Sequence, residues 1–203
     1  MVATHKALVG RRRHEEVRRA ILTAAAAELA DVGAERASLR SIARRVGVSH
    51  QALTYHFADR RAVLTAVAVD GFIRLTADIT DALAQVPADV PVGEHAIAVG
   101  ATYVAFAREH PALFTLMLGS TQVDDADPEL VDKRLQVWNL LLQTAAQESD
   151  YGWGGGVEPP YMALLAWTVV HGLATLDRAI PQAADVANLL RILNGAIIRP
   201  DKD

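Results

Sequence analysis

Apolar residues return at helical spacing from His14 onward. Val17, Ile21, Ala25 and Leu29 fall four apart and form one stripe, and Gly33 follows as a stop. The same reading predicts short helices from Leu39 to Arg45, with Leu39, Ile42, Ala43 and Val46 inward, and from His50 to Tyr55, with Ala52 and Leu53 inward. Ser38, Ser49 and Asp59 stand where N-caps belong, and Gly47 where a helix ends. A long periodic stretch predicts a helix over 60–83. Breakers such as Pro87, Pro91 and Pro111 divide the rest of the chain into helices at 93–109, 111–118, 128–149, 159–178 and 182–196. The loop Gly119–Asp127 is acidic, and Gly152–Gly156 reads as a flexible glycine run. No sustained period-two alternation occurs, so the fold class is all-α. A three-helix head is joined by a long helix to a larger helical body.

The chain has 203 residues, is 51% hydrophobic and 22% charged, and has no cysteine. That composition excludes disorder as the main state, a disulfide framework and a thiol nucleophile. The long apolar stretches are interrupted before reaching a membrane-spanning length, and the basic start runs into Glu15 and Glu16, not into a secretory core segment. No membrane association and a cytoplasmic location are the expectations. Residues 1–64 hold 12 of the 20 Lys and Arg but 6 of the 24 Asp and Glu, while the whole chain carries a net −4. A basic head on an acidic body points to a polyanion partner. Residues 1–12, with Arg11, Arg12 and Arg13, read as a flexible basic tail.

Two short helices around one tight turn, Ser38 to His56, read as a helix-turn-helix. Small Ala43 lets the pair approach, Gly47 accepts the turn's positive φ, and Ile42, Val48 and Leu53 fill the inner side. The outward side of the second helix carries His50, Gln51, Thr54 and Tyr55. These are polar side chains able to donate to and accept from base edges in a major groove.

The run from Ser38 through Leu64, with its Ile-Ala pair, Gly-Val-Ser turn and Tyr-x-Phe ending, closely resembles the signature of the tetracycline-repressor (TetR) family of bacterial transcription regulators. With the first helix, the resemblance covers a quarter of the chain. It implies a homodimer on a palindromic double-stranded operator, acting as a repressor and released when a small molecule enters the body. By position it implies DNA contacts from Ser38, Ser49, His50, Gln51, Thr54, Tyr55, His56 and Arg60, with Arg40 and Arg44 as further phosphate contacts. Arg60 stands where the family most often has Lys, and Arg61 replaces a more usual acidic residue. His110–Met117 and Ala166–Leu176 resemble a C-terminal subtype marked by Trp and His-Gly, here Trp167, His171 and Gly172. The resemblance implies pairing through the last two helices, with Leu165, Val169, Leu173, Leu176, Leu189, Leu190 and Leu193 as packing candidates.

The expected domains are the tail at 1–12, the helix-turn-helix at 13–58 and an effector-binding and dimerisation body at 59–203. Aromatic and soft residues of the body, Tyr103, Phe106, Phe114, Met117, Trp138, Leu142, Tyr161 and Trp167, with His171, are the candidates to line an effector pocket. Few charges punctuate these helices, so a largely apolar ligand is expected. No metal, cofactor or catalytic set is expected. The alternative is a helical enzyme or small-molecule carrier without DNA binding, using His95, His110 or His171 with Glu94, Glu109 or Asp177, but none has a metal or catalytic spacing. A DNA-binding protein with a ligand-blind body is a third reading.

Overall fold

Helices occupy most of the chain because capping residues and breakers bound each apolar-periodic run. The computed structural model describes residues 2–176 and 185–197. Nine helices occur among them and no strand: α1 (Val2–Arg36), α2 (Leu39–Val46), α3 (His50–His56), α4 (Arg60–Ala84), α5 (Glu94–Glu109), α6 (Pro111–Gly119), α7 (Pro128–Ser149), α8 (Pro159–Leu176) and α9 (Val186–Ile197). No helix of the described residues is long and apolar enough to cross a membrane. The helix expected at 182–196 is seen from Val186, and residues 177–184 lie outside the described residues.

One difference from the sequence reading concerns the start of α1. Its backbone is helical from Val2, where residues 1–12 read as a loose tail. Ala3, Lys6, Ala7, Leu8 and the three arginines are strong helix formers, and no proline interrupts them. Gly33 breaks the helix where the sequence places a stop. It takes φ 76 and ψ 167, a conformation open in practice to glycine alone, and one further turn follows to Arg36.

The chain packs as two units. The first takes in the described chain up to Gly71 together with Ala112–Val131; the second takes in Phe72–Pro111 and the described chain from Asp132 onward. In the first unit the α1 stripe is buried as expected: Ile21, Ala25 and Leu29 are fully enclosed, with Ile42 of α2, Leu53 of α3 and Leu64 of α4. Leu116 and Met117 of α6 complete this core, and the Met117 sulfur packs against Gly71, where a Cβ would not fit.

In the second unit α5 lies against α8 and α9. Gly100 permits the approach, since a Cβ there would come within 2.8 Å of Val170 and 2.9 Å of Leu190. The start of α5 has no side-chain cap of its own. The buried carboxylate of Glu148, on α7, supplies it by accepting from the Gly93 N–H at 2.6 Å and the His95 N–H at 3.1 Å. The segment read as a flexible glycine run is an ordered turn. Trp153 is 4% exposed, and its indole N–H donates to Asn194 Oδ1 at 2.6 Å. One large buried ring fixes a stretch that its composition alone leaves loose.

Candidate nucleic-acid interface

Each short helix of the head is bounded by a cap. Ser38 Oγ accepts from the Ser41 N–H at 3.2 Å, and Ser49 Oγ accepts from the Ala52 N–H at 3.1 Å. Gly47 takes φ 76 and ψ 28; its N–H donates to Arg44 O, and the Val48 N–H donates to Ala43 O at 3.0 Å. This pair of bonds closes α2 and sets the tight turn into α3. Asp59 Oδ1 accepts from the Ala62 N–H at 2.8 Å and opens α4.

Within this frame α3 has one inward anchor, Leu53, and presents His50, Gln51 and Tyr55 to solvent. Tyr55 is 79% exposed. Thr54 is half-buried and donates to Gln51 O at 3.0 Å. Ala52, expected inward, is exposed, because seven residues of α3 provide room for one core position. Arg40 and Arg44 are exposed and lie four apart on one face of α2. The candidate interface thus combines hydrogen-bonding side chains on α3 with two arginines on α2.

Other expected contacts turn inward. Arg60 directs its guanidinium into the first unit: Nε donates to Ala37 O at 2.7 Å, Nη1 to Gln122 Oε1 at 2.5 Å, and Nη2 to Ala34 O. Three of its five N–H donors are therefore spent on the fold. Arg61 donates to Val123 O at 3.0 Å and faces Asp124 at 3.7 Å. His56 folds back onto α1, its ring 4.3 Å from that of His14, and its Nδ1 is enclosed without a hydrogen-bond partner among the described residues. Burial first, and then the neighbouring His14 and Arg18, hold its pKa below the ordinary 6.5. At neutral pH it is uncharged and offers no cation to a phosphate. Ser38 is half-buried and spends its hydroxyl on the cap and on Ser41 Oγ at 2.8 Å.

One anchor went unread in the sequence. Arg45 reaches from α2 to α1, with Nε 2.6 Å from Glu28 and Nη2 2.6 Å from Asp31. The Ser41 hydroxyl first, and then Arg45, hold the Glu28 carboxyl below its ordinary 4.5 against the opposing effect of burial. A depressed carboxylate stabilises the fold above its unfolded pKa, and that contribution disappears as pH falls through the folded value. The melting temperature of wild type should therefore drop below about pH 4.5, and Glu28→Gln should flatten that dependence. Melts followed by circular dichroism between pH 3 and 7 check it.

Comparison with known proteins agrees with this geometry. Residues 21–67 match the bacterial regulatory proteins of the tetR family, and residues 96–193 match the tetracyclin repressor-like C-terminal domain. The chain belongs to the TetR family. A protein of unknown function from Rhodococcus sp. RHA1 is 31% identical, with a TM-score of 0.78 over 89% of this chain and 93% of that one. A TetR family transcription regulator from Marinobacter aquaeolei VT8 shares the fold at 20% identity, with a TM-score of 0.67 over 93% of this chain and 98% of its own. So does the fatty acid degradation regulator FadR of Bacillus halodurans, at 14% identity, with a TM-score of 0.69 over 89% and 94%. No curated protein gave a match.

In this TetR family regulator the residues expected to line a pocket are dispersed. Tyr103 is buried; its hydroxyl accepts from the Trp167 indole at 3.3 Å and is 2.9 Å from His171 Nδ1. Burial pushes the Tyr103 pKa up to about 12. The phenol therefore stays protonated and can donate to His171. Phe106 is buried with its ring 5.0 Å from that of His110, and Phe114 and Met117 belong to the core of the first unit. Trp138 and Leu142 are half-buried against Ala145, Trp153 and Met162, and Tyr161 is exposed. The histidines weighed for chemistry each have a local contact: His95 Nδ1 lies 2.8 Å from Glu148, His110 rests on Phe106, and His171 meets Tyr103.

The second unit contains a cavity of about 400 Å3 between α5, α8, α9 and the Trp153 turn. None of the nine residues expected to line a pocket borders it. Its walls include Trp153, Leu165, Val169, Leu190, Leu193 and Asn194, with no charged residue among the described ones. Of the nine, Trp167 borders a separate void of about 30 Å3.

Proposed function

We propose that this TetR family transcription regulator is a repressor that binds a palindromic operator as a homodimer and leaves it when a small, largely apolar molecule binds the body. The observation that carries the reading is the exposed side of α3, His50, Gln51 and Tyr55, beside Arg40 and Arg44. Residues 13–58 are the DNA-reading portion and 59–203 the effector and pairing portion. Ser49, His50, Gln51 and Thr54 face base edges, Tyr55 meets the groove edge, and Arg40 and Arg44 meet phosphates. Ser38 contributes through the capped start of α2, while Arg60 and His56 hold the head together.

Pairing is supported by apolar side chains left open on the last two helices. Leu164, Leu165 and Leu176 of α8 and Ile192 and Leu193 of α9 are exposed, and α8 carries no charged residue. Of the other packing candidates, Val169 is exposed, Leu173 and Leu189 are half-buried, and Leu190 is buried. Paired recognition helices would meet half-sites about 34–36 Å apart, one turn of duplex.

A gel shift with the DNA upstream of the protein's own gene tests the reading, alongside sedimentation of the free protein. A salt-sensitive shift by a dimer supports it; a monomer with no salt-sensitive affinity overturns it. Gln51→Ala and His50→Ala should each change the preferred base at one position of each half-site by about tenfold, within the range of about 1–3 kcal/mol for one base pair. Selection of bound sequences from a random pool reads that change.

A further inference from the structure

The geometry points to the cavity between α5, α8, α9 and the Trp153 turn as a binding site for an uncharged, mainly apolar molecule bearing one hydrogen-bonding group, such as a long-chain alcohol, ester or amide. This deepens the ligand-responsive reading above by assigning a site and a ligand chemistry to it. At about 400 Å3 the cavity lies within the size range of small-molecule sites, and its walls are mostly apolar.

Charge selects the ligand class. Among the described residues no wall residue is ionisable, so a carboxylate or ammonium would lose its water without gaining a counter-ion from them. Asn194 is the polar feature suited to orient a guest. Its Oδ1 accepts from the Trp153 indole at 2.6 Å, and its Nδ2 donates to Val92 O at 2.9 Å. An amide has two acceptor lone pairs and two N–H donors, so those bonds leave one of each. They also lock the amide orientation, so the remaining pair is held in place before a ligand arrives. Leu165 and Leu193, at 57% and 40% exposure, are among the solvent-exposed residues that border the cavity. Both also belong to the face proposed to pair, so a second copy would roof the site.

Two dyes of one skeleton test this in the full-length protein. Neutral N-phenyl-1-naphthylamine should bind at one site per chain, and 8-anilino-1-naphthalenesulfonate, which adds a sulfonate, should bind at least tenfold more weakly. 1-Decanol should displace the neutral dye, and decanoate at pH 8 should need at least tenfold more. Ala166→Phe, which fills the cavity from α8, should abolish dye binding. Leu193→Trp, at the exposed border, should weaken it about tenfold and serves if the first variant does not fold.

Equal binding of the two dyes, equal displacement by alcohol and carboxylate, or unchanged binding in folded filled variants would overturn the assignment, as would no binding of the neutral dye. DNA binding without dye, measured by the gel shift above, separates the two readings. A regulator that binds its operator but takes no dye loses the site and keeps the DNA function. A protein that takes the dye as described but ignores DNA keeps the site and loses the regulator.

Discussion

Replacing Arg60 with alanine should destabilise the head by about 3 kcal/mol while leaving the salt dependence of DNA binding unchanged. The guanidinium holds the carbonyls of Ala34 and Ala37 and the amide oxygen of Gln122. Bonds to a charged donor contribute about 1.5–3 kcal/mol each, and partial replacement by water reduces the total. Two of these acceptors belong to the turn that follows the kink at Gly33, so the end of α1 should loosen first. Arg40→Ala or Arg44→Ala should act in the opposite sense, with no loss of stability and a salt slope shallower by about one unit each. Thermal melts of the variants, paired with titrations at several salt concentrations, separate the two behaviours. An Arg60 variant that melts like wild type but loses a unit of slope would return Arg60 to the phosphate-contacting set.

Leu53→Ala should remove DNA binding altogether. Helix α3 has seven residues, too few to hold helical structure without tertiary support, and Leu53 is its one buried side chain. Truncating a fully buried leucine costs about 2–5 kcal/mol, and here the cost falls on a single element. The amides of α3 should lose hydrogen-exchange protection, while those of α5 and α8, in the other unit, keep theirs. Loss of protection spread evenly over both units would contradict this.

The sequence made the helices legible because their ends are written locally. Ser38, Ser49 and Asp59 cap the next turn, and Pro111, Pro128 and Pro159 stand at helix starts. The outward side of α3 was legible for the same reason, since a seven-residue helix with one anchor leaves few arrangements. Arg60 misled because its acceptors lie 23, 26 and 62 residues away in the chain, so no local pattern announces them. His56 misled in a similar way, as the ring it rests against, His14, lies far back in the chain on α1. The cavity was illegible because aromatics on regular helices are the more obvious candidates to line one. Its largest wall residue, Trp153, sits among glycines where composition suggests a spacer. The signal was present, since a lone tryptophan in a glycine run has a ring to bury.

That glycine segment sets a limit on how the chain can change. Gly152, Gly154, Gly155 and Gly156 all sit at positive φ, and the Trp153 ring between them is bonded to Asn194. A reporter or epitope spliced at this point, where a tolerant connector would ordinarily be sought, would wrench the tryptophan from its seat and unfasten α9. The stretch that reads as the most disposable in the protein is among the least open to insertion or drift.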